Sequence, residues 1–344
     1  MRPFFVAFLL ALVPLRASDA TPAPTFTNPI ADGADPWVIR HGGAYLWCAT
    51  TGGRTVNVHR SDRLTALGEK APVWRAPDTG PHSRQLWAPE LHLLDDHWFI
   101  YVAASDGQNE NHRMIVLAAT TPDPLGPYEF KAELYTGDHL ATRADNRWAI
   151  DATILEHRGQ RYLLWSGWPD ERDEQFLYIA TLSNPWTVSS NRVRLSSNSD
   201  YLWERVSEKP TGRGLHEAPQ VLAHNGRIFV TYSCSGSWQA TYKLGLLALA
   251  PDGDPLNPAA WTKSAQPVFQ SDAHTFGVGH NCFAHSPDGR ESWLIYHAKK
   301  DRTEGWPRTI RAQPFTWRPD GTPNFGAPVP AGTPLPIPSV RRPL

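Results

Sequence analysis

Five polar side chains open five related stretches of the chain. They are Asp35 in DPWVIRHGGAYLWCAT, Glu90 in PELHLLDDHWFIYVAA, Asp151 in DATILEHRGQRYLLWSG, Glu217 in EAPQVLAHNGRIFVTYSC and His280 in HNCFAHSPDGRESWLIYHA. Strand interiors disfavour Asp and Glu, so carboxylates recurring at the starts of strand-like segments call for a reason. If the segments converge, four carboxylates and one imidazole gather around one mouth. That set suits cleavage of a glycosidic bond. One carboxylate activates water, and a protonated one donates to the leaving oxygen. Burial and mutual repulsion separate their pKa values, so both roles can operate at one pH. The simpler reading makes them turn and hydrogen-bonding residues, as Asp35 before Pro36 illustrates.

The positioning elements are legible as a repeat. Each stretch is an apolar strand, a polar turn and an aromatic-rich strand, with starts at residues 35, 90, 151, 217 and 280. The turns hold Gly42-Gly43, Asp95-Asp96, Gly159, Asn225-Gly226 and Asp288-Gly289, the residue types of hairpin connections. A strand-only repeat with a period of roughly 60 residues predicts an all-β, five-bladed β-propeller with four antiparallel strands per blade. Third strands are expected at Met114–Thr121, Phe176–Ser183 and Lys243–Ala250. A two-domain β-sandwich is the alternative architecture. The Pro-rich stretch from Gly326 to Leu344 is expected to lie extended over the surface.

Composition bounds the rest. The chain has 344 residues, with 33 Lys and Arg against 34 Asp and Glu. This balance argues against nucleic acid as a partner, because phosphate binding wants a basic excess. Fifteen Trp, 32 Pro and 25 Gly favour a turn-rich β protein with flat apolar faces of the kind that stack on sugar rings. Arg2, the apolar run Phe4 to Leu15 and the small residues before Ala20 read as a signal peptide over residues 1–20. Residues 21–344 then form a single propeller domain, secreted or periplasmic, with no membrane span after signal cleavage, since the apolar run is too short for one. Cys48, Cys234 and Cys282 show neither CxxC nor zinc spacing. They are expected to be structural, with pairing of two left open.

The stretches NPIADGADPWVI, QLWAPELH, WAIDATIL, GLHEAPQVL and GVGHNCFAHSPDG resemble glycoside hydrolase family 43, in that family's order and over nearly all of the chain. The resemblance implies a five-bladed propeller that inverts configuration at the anomeric carbon. It assigns Asp35 as general base, Glu217 as general acid and Asp151 as the modulator of the acid's pKa. It also offers Trp87 as an aromatic of the sugar site, with a core Trp between blades as the other reading. Glu90 is then a structural or sugar-binding carboxylate. Arg308 is the candidate for a sugar-hydroxyl contact, with Arg311 competing. Trp37 reads as core. His280 resembles a residue that helps hold a structural Ca2+ ion in the central channel, largely through water; an imidazole hydrogen-bonded in the channel is the alternative. No cofactor is required. His216 stands out among the other histidines because it adjoins the acid. The implied substrates are arabinose- or xylose-containing oligosaccharides or polysaccharides of plant cell walls, with release of terminal L-arabinofuranose preferred. A β-xylosidase, an endo-arabinanase or a non-catalytic carbohydrate-binding propeller are the alternatives.

Overall fold

The computed structural model describes residues 24–340 apart from Glu171, so the expected signal peptide lies outside the described residues. Its backbone is almost entirely strand and turn, with only short 3-10 segments. Five antiparallel sheets follow one another along the chain as five blades of a propeller. Their innermost strands are Trp37–His41, Arg84–Leu94, Ala149–His157, His216–His224 and Phe276–His285. The three expected third strands appear at Arg113–Ala119, Phe176–Asn184 and Lys243–Leu249. The third blade departs from strict four-strand form: two short pieces, Thr187–Val188 and Val193–Arg194, share its outer edge.

Turn chemistry sets the hairpins. The pairs Gly42-Gly43, Asp95-Asp96, Arg158-Gly159 and Asn225-Gly226 all have positive φ at both residues. That is the backbone of the two-residue turn whose twist matches paired strands. The pairs His41 with Ala44, Leu94 with His97, His157 with Gln160 and His224 with Arg227 close these loops. The fifth hairpin is longer, closing at His285 and Ser292.

Apolar burial is divided among five clusters, one at each interface between adjacent blades. Trp47, Trp165 and Trp293 are at most 1% exposed and anchor two of them, Trp47 and Trp293 sharing the cluster between the fifth and first blades. Most of the Trp excess is therefore interblade core, which a sheet stacked on a sheet needs for its large flat contact. The three cysteines are free and buried in these clusters.

The ring closes with a strand that periodicity does not reveal. Ala31–Asp32 pairs with Arg308–Trp317 and supplies the outer edge of the fifth blade. The Pro-rich tail is likewise more than an extended cover: Pro334–Pro336 pairs with Thr25–Thr27.

Candidate active site

One irregularity, repeated around the ring, builds the site. In four inner strands a pair of residues stands opposite a single residue of the neighbouring strand, at Ala88-Pro89, Asp151-Ala152, Ala218-Pro219 and His280-Asn281. The first residue of each pair has positive φ, between 41° and 56°. Asp35 takes the same conformation, φ 52°, just before the first inner strand. These are β-bulges, which re-aim side chains beside active sites. A non-glycine residue in this region costs on the order of 1–3 kcal/mol, least for Asp, Asn and His. Asp35, Asp151 and His280 occupy three of these five left-handed positions.

The bulges correct the matched-position reading of the five polar residues. Asp35, Asp151 and His280 are equivalent to one another and to Ala88 and Ala218. Glu217 stands one residue before its bulge, level with Trp87, Ile150 and Gly279. Glu90 stands two residues after the start of its bulge, level with Thr153, Gln220 and Cys282. The ring therefore has three levels, and the carboxylates do not share one.

Asp35, Asp151 and Glu217 line one open cavity of about 910 Å3 on the axis, together with Trp87, Trp148, His280 and Arg308. This is toward the upper end of the range of about 300–1,000 Å3 usual for small-molecule sites. Trp87 stacks one face on His112, with centroids 3.8 Å apart, and is a cavity residue. Trp37 is not: its indole N–H donates to the Leu91 carbonyl at 2.8 Å. Arg308 reaches the Asp35 Oδ1 at 3.3 Å. Arg308 lines the cavity, whereas Arg311 is buried against Thr309 and Thr275. Glu90 does not line the cavity. It is buried deeper in the channel, accepting from Gln220 and pairing with His92 at 3.0 Å.

The environments of the carboxylates differ in sign. Burial alone would raise the Asp35 carboxyl. His280 and Arg308, and the neighbouring His297, outweigh that and hold it far below the usual carboxylate range. His280 Nδ1 and His297 Nδ1 each lie 3.2 Å from its Oδ1. Glu217 goes the other way. Burial raises it to about 7; Tyr242, donating to Oε1 at 2.6 Å, works against this and the Asp35 charge reinforces it. Asp151 is also pushed well up, by burial first and then by Glu217 and Asp35, while the Ala218 N–H donates to its Oδ2 at 3.0 Å. Asp151 and Glu217 thus hold protons more tightly than ordinary carboxyls, beside an Asp35 that stays ionised. A neutral acid and a permanent carboxylate base facing one cavity can add water across an acetal.

Sequence reasoning missed His297, Tyr242, Ser237, Trp148 and Arg213. His297 is the polar exception in the strand SWLIYHAK, a signal within reach. Tyr242 and Ser237 lie on a connection and carry no periodicity.

Calcium fits the site poorly through direct ligands. Asp35, His280 and His297 offer one oxygen and two nitrogens within 4.8 Å of one another, whereas Ca2+ takes six to eight oxygens. The Arg308 guanidinium also occupies the carboxylate.

A propeller with buried carboxylates around an axial, aromatic-lined cavity defines a glycosidase-like protein. Residues 26–323 match the family described as glycosyl hydrolases family 43. An alpha-L-arabinofuranosidase 43 from Humicola insolens is 36% identical over 97% of this chain and 69% of its own length. An extracellular exo-alpha-(1->5)-L-arabinofuranosidase from Streptomyces avermitilis is 34% identical over 95% of this chain and 70% of its own. The crystal structure of an alpha-L-arabinofuranosidase from Lactobacillus brevis superposes with a TM-score of 0.81, at 33% identity, covering 90% of this chain and 98% of that one. The chain belongs to glycoside hydrolase family 43.

Proposed function

We propose that this enzyme releases terminal L-arabinofuranose from arabinan or arabinoxylan side chains with inversion at the anomeric carbon. The observation that carries the reading is the convergence of Asp35, Asp151 and Glu217 on one cavity, with Arg308 at Asp35 and Tyr242 at Glu217. The sugar at issue is supported by what the similar proteins are named for.

In the mechanism, Glu217 donates its proton to the glycosidic oxygen while Asp35 takes a proton from water on the opposite face of the ring. Positive charge grows on the ring at the transition state, and the carboxylates of the cavity stabilise it. Asp151, coupled to Glu217, is the proposed modulator of the acid, while burial and the Asp35 charge keep the acid loaded. Arg308, the permanent cation beside it, keeps Asp35 ionised. Any calcium ion held by His280 through water is structural in this reading, and no step uses it. Export to the cell exterior is part of the proposal, supported by the extracellular naming of Streptomyces relatives and by the apolar N-terminal run. No helix among the described residues is long and apolar enough to cross a membrane.

Proton NMR of an arabino-oligosaccharide digest, followed from the first minutes, is the test. Arabinofuranose of inverted configuration is expected first. Retained configuration would remove Asp35 from the role of base. Xylose release without arabinose release would make the enzyme a xylosidase, and no turnover on either would leave a carbohydrate-binding propeller.

A pH profile adds a signed prediction. Activity needs Asp35 ionised and Glu217 protonated, so kcat/KM should be flat through the acid range and fall as pH rises through about 7. Arg308 lowers both carboxyls. In Arg308→Met both limbs should move to higher pH, a shift that lost substrate contacts alone would not produce.

A further inference from the structure

The cavity has two aromatic walls, and the mechanism uses neither fully. One, from the second and third blades, carries Trp87 and Trp148. The other carries Trp238 and Trp306, whose rings lie 5.9 Å apart and tilted by 53°. Trp306 is 62% exposed, the most exposed large apolar side chain among the described residues. Isolated exposed apolar residues are common. This one differs because it faces a cavity and its loop is held on several sides.

The anchors are specific. Buried Lys299 donates from Nζ to the Gly305 carbonyl at 2.5 Å. The Gly305 N–H donates to the Trp238 carbonyl at 2.9 Å. Gln239 Nε2 donates to Glu304 Oε1 at 2.9 Å, and its Oε1 accepts from the Ser207 N–H at 3.0 Å. Three loops are thereby tied together, and the backbone that carries the exposed Trp306 ring is held at the cavity edge. A prearranged apolar face at a cavity edge is what a stacking ligand rewards. Arg308 lies against the same ring, its guanidinium carbon 5.4 Å from the centroid.

Position decides which part of a substrate stacks there. Trp238 follows Ser237, which hydrogen-bonds Glu217, and lies under the Arg213 guanidinium, which feels the Glu217 charge; Trp238 therefore stands beside the acid, and Trp306 extends the wall from it toward Arg308. The acid protonates the departing oxygen, so the departing group lies on its side of the cavity.

We propose that Trp306, backed by Trp238, is the platform for the sugar unit on the leaving-group side, and so a specificity-determining residue that favours glycosyl chains over small leaving groups. This rests on the glycosidase reading above. The test compares Trp306→Ala with wild type on an arabinofuranosyl trisaccharide and on methyl α-L-arabinofuranoside. The readout is the ratio of the two kcat/KM values, which cancels any general loss. The ratio is expected to fall about tenfold, roughly one stacked contact's worth of binding, and Trp306→Phe should keep most of it. An unchanged ratio with active wild type overturns the platform and leaves the glycosidase reading intact. Wild-type enzyme inert toward both substrates overturns the two together.

Discussion

Glu217→Gln is expected to lower kcat/KM on arabino-oligosaccharides by about 10²–10⁴-fold, the usual yield of a positioned acid or base. Gln keeps the size of Glu and can still accept from Tyr242 Oη, so the cavity should hold its shape. What disappears is the proton held to about pH 7 by burial and by the Asp35 charge. The diagnostic is dependence on the leaving group. A dinitrophenyl arabinofuranoside departs as a stable anion and needs no proton, so its loss should be far smaller, and the basic limb of its pH profile should vanish. Asp35→Asn removes the base and should damage both substrates alike. Equal losses in Glu217→Gln on the two substrates would take the acid role away from Glu217.

Glu204→Ala is expected to lower the free energy of unfolding by about 3–5 kcal/mol, the range for removing one partner of a buried charge pair, as read by chemical denaturation. Glu204 is fully buried in the connection between the third and fourth blades. Its Oε1 takes bonds from His216, Tyr232 and Lys263, each at 2.9 Å, and its Oε2 accepts from the Tyr201 N–H at 3.0 Å. Burial would raise its carboxyl, but His216 and Lys263 outweigh that and bring it to about 2. A depressed carboxyl stabilises the fold at pH above its ordinary value near 4.5 and loses that contribution as pH falls toward 2. Wild type should therefore weaken over that window, and the variant should lack this component of the slope. His216 precedes Glu217, so the same network fixes the backbone from which the acid projects. A variant as stable as wild type would mean that the surroundings repack without the carboxylate.

Much of this architecture is legible in residue order, and the illegible parts have physical causes. Hairpins announce themselves because left-handed turn residues are chemically distinctive: Asn225-Gly226 can hardly be anything else. The trio of carboxylates is legible because each sits beside an apolar strand where charge is out of place. Arg308 could be put forward only beside Arg311, since both lie on one strand and three residues of spacing do not say which end nears the axis. The bulges are invisible in the letters. One extra residue in a strand changes which side chain points inward, and that is why Glu90 reads as a sibling of Asp151 yet lies deeper. Ala31–Asp32 is too short to show alternation, so ring closure could not be read. Trp306 sits on a loop, where no periodicity constrains it.

The seam of the ring has a consequence for biosynthesis. Asp35 and Arg308 touch across a sequence separation of 273 residues, and His280 and His297 reach Asp35 from the same late blade. As the chain leaves the ribosome, four blades can form while the proposed catalytic cluster is still missing half its members. The pairing of Ala31–Asp32 with Arg308–Trp317 must wait for nearly the last strand. Contacts so distant in sequence are slow to form, and until they do the early strand is an open edge ready to pair elsewhere. Activity and protection from aggregation should therefore arrive together, as one late event in the making of the molecule.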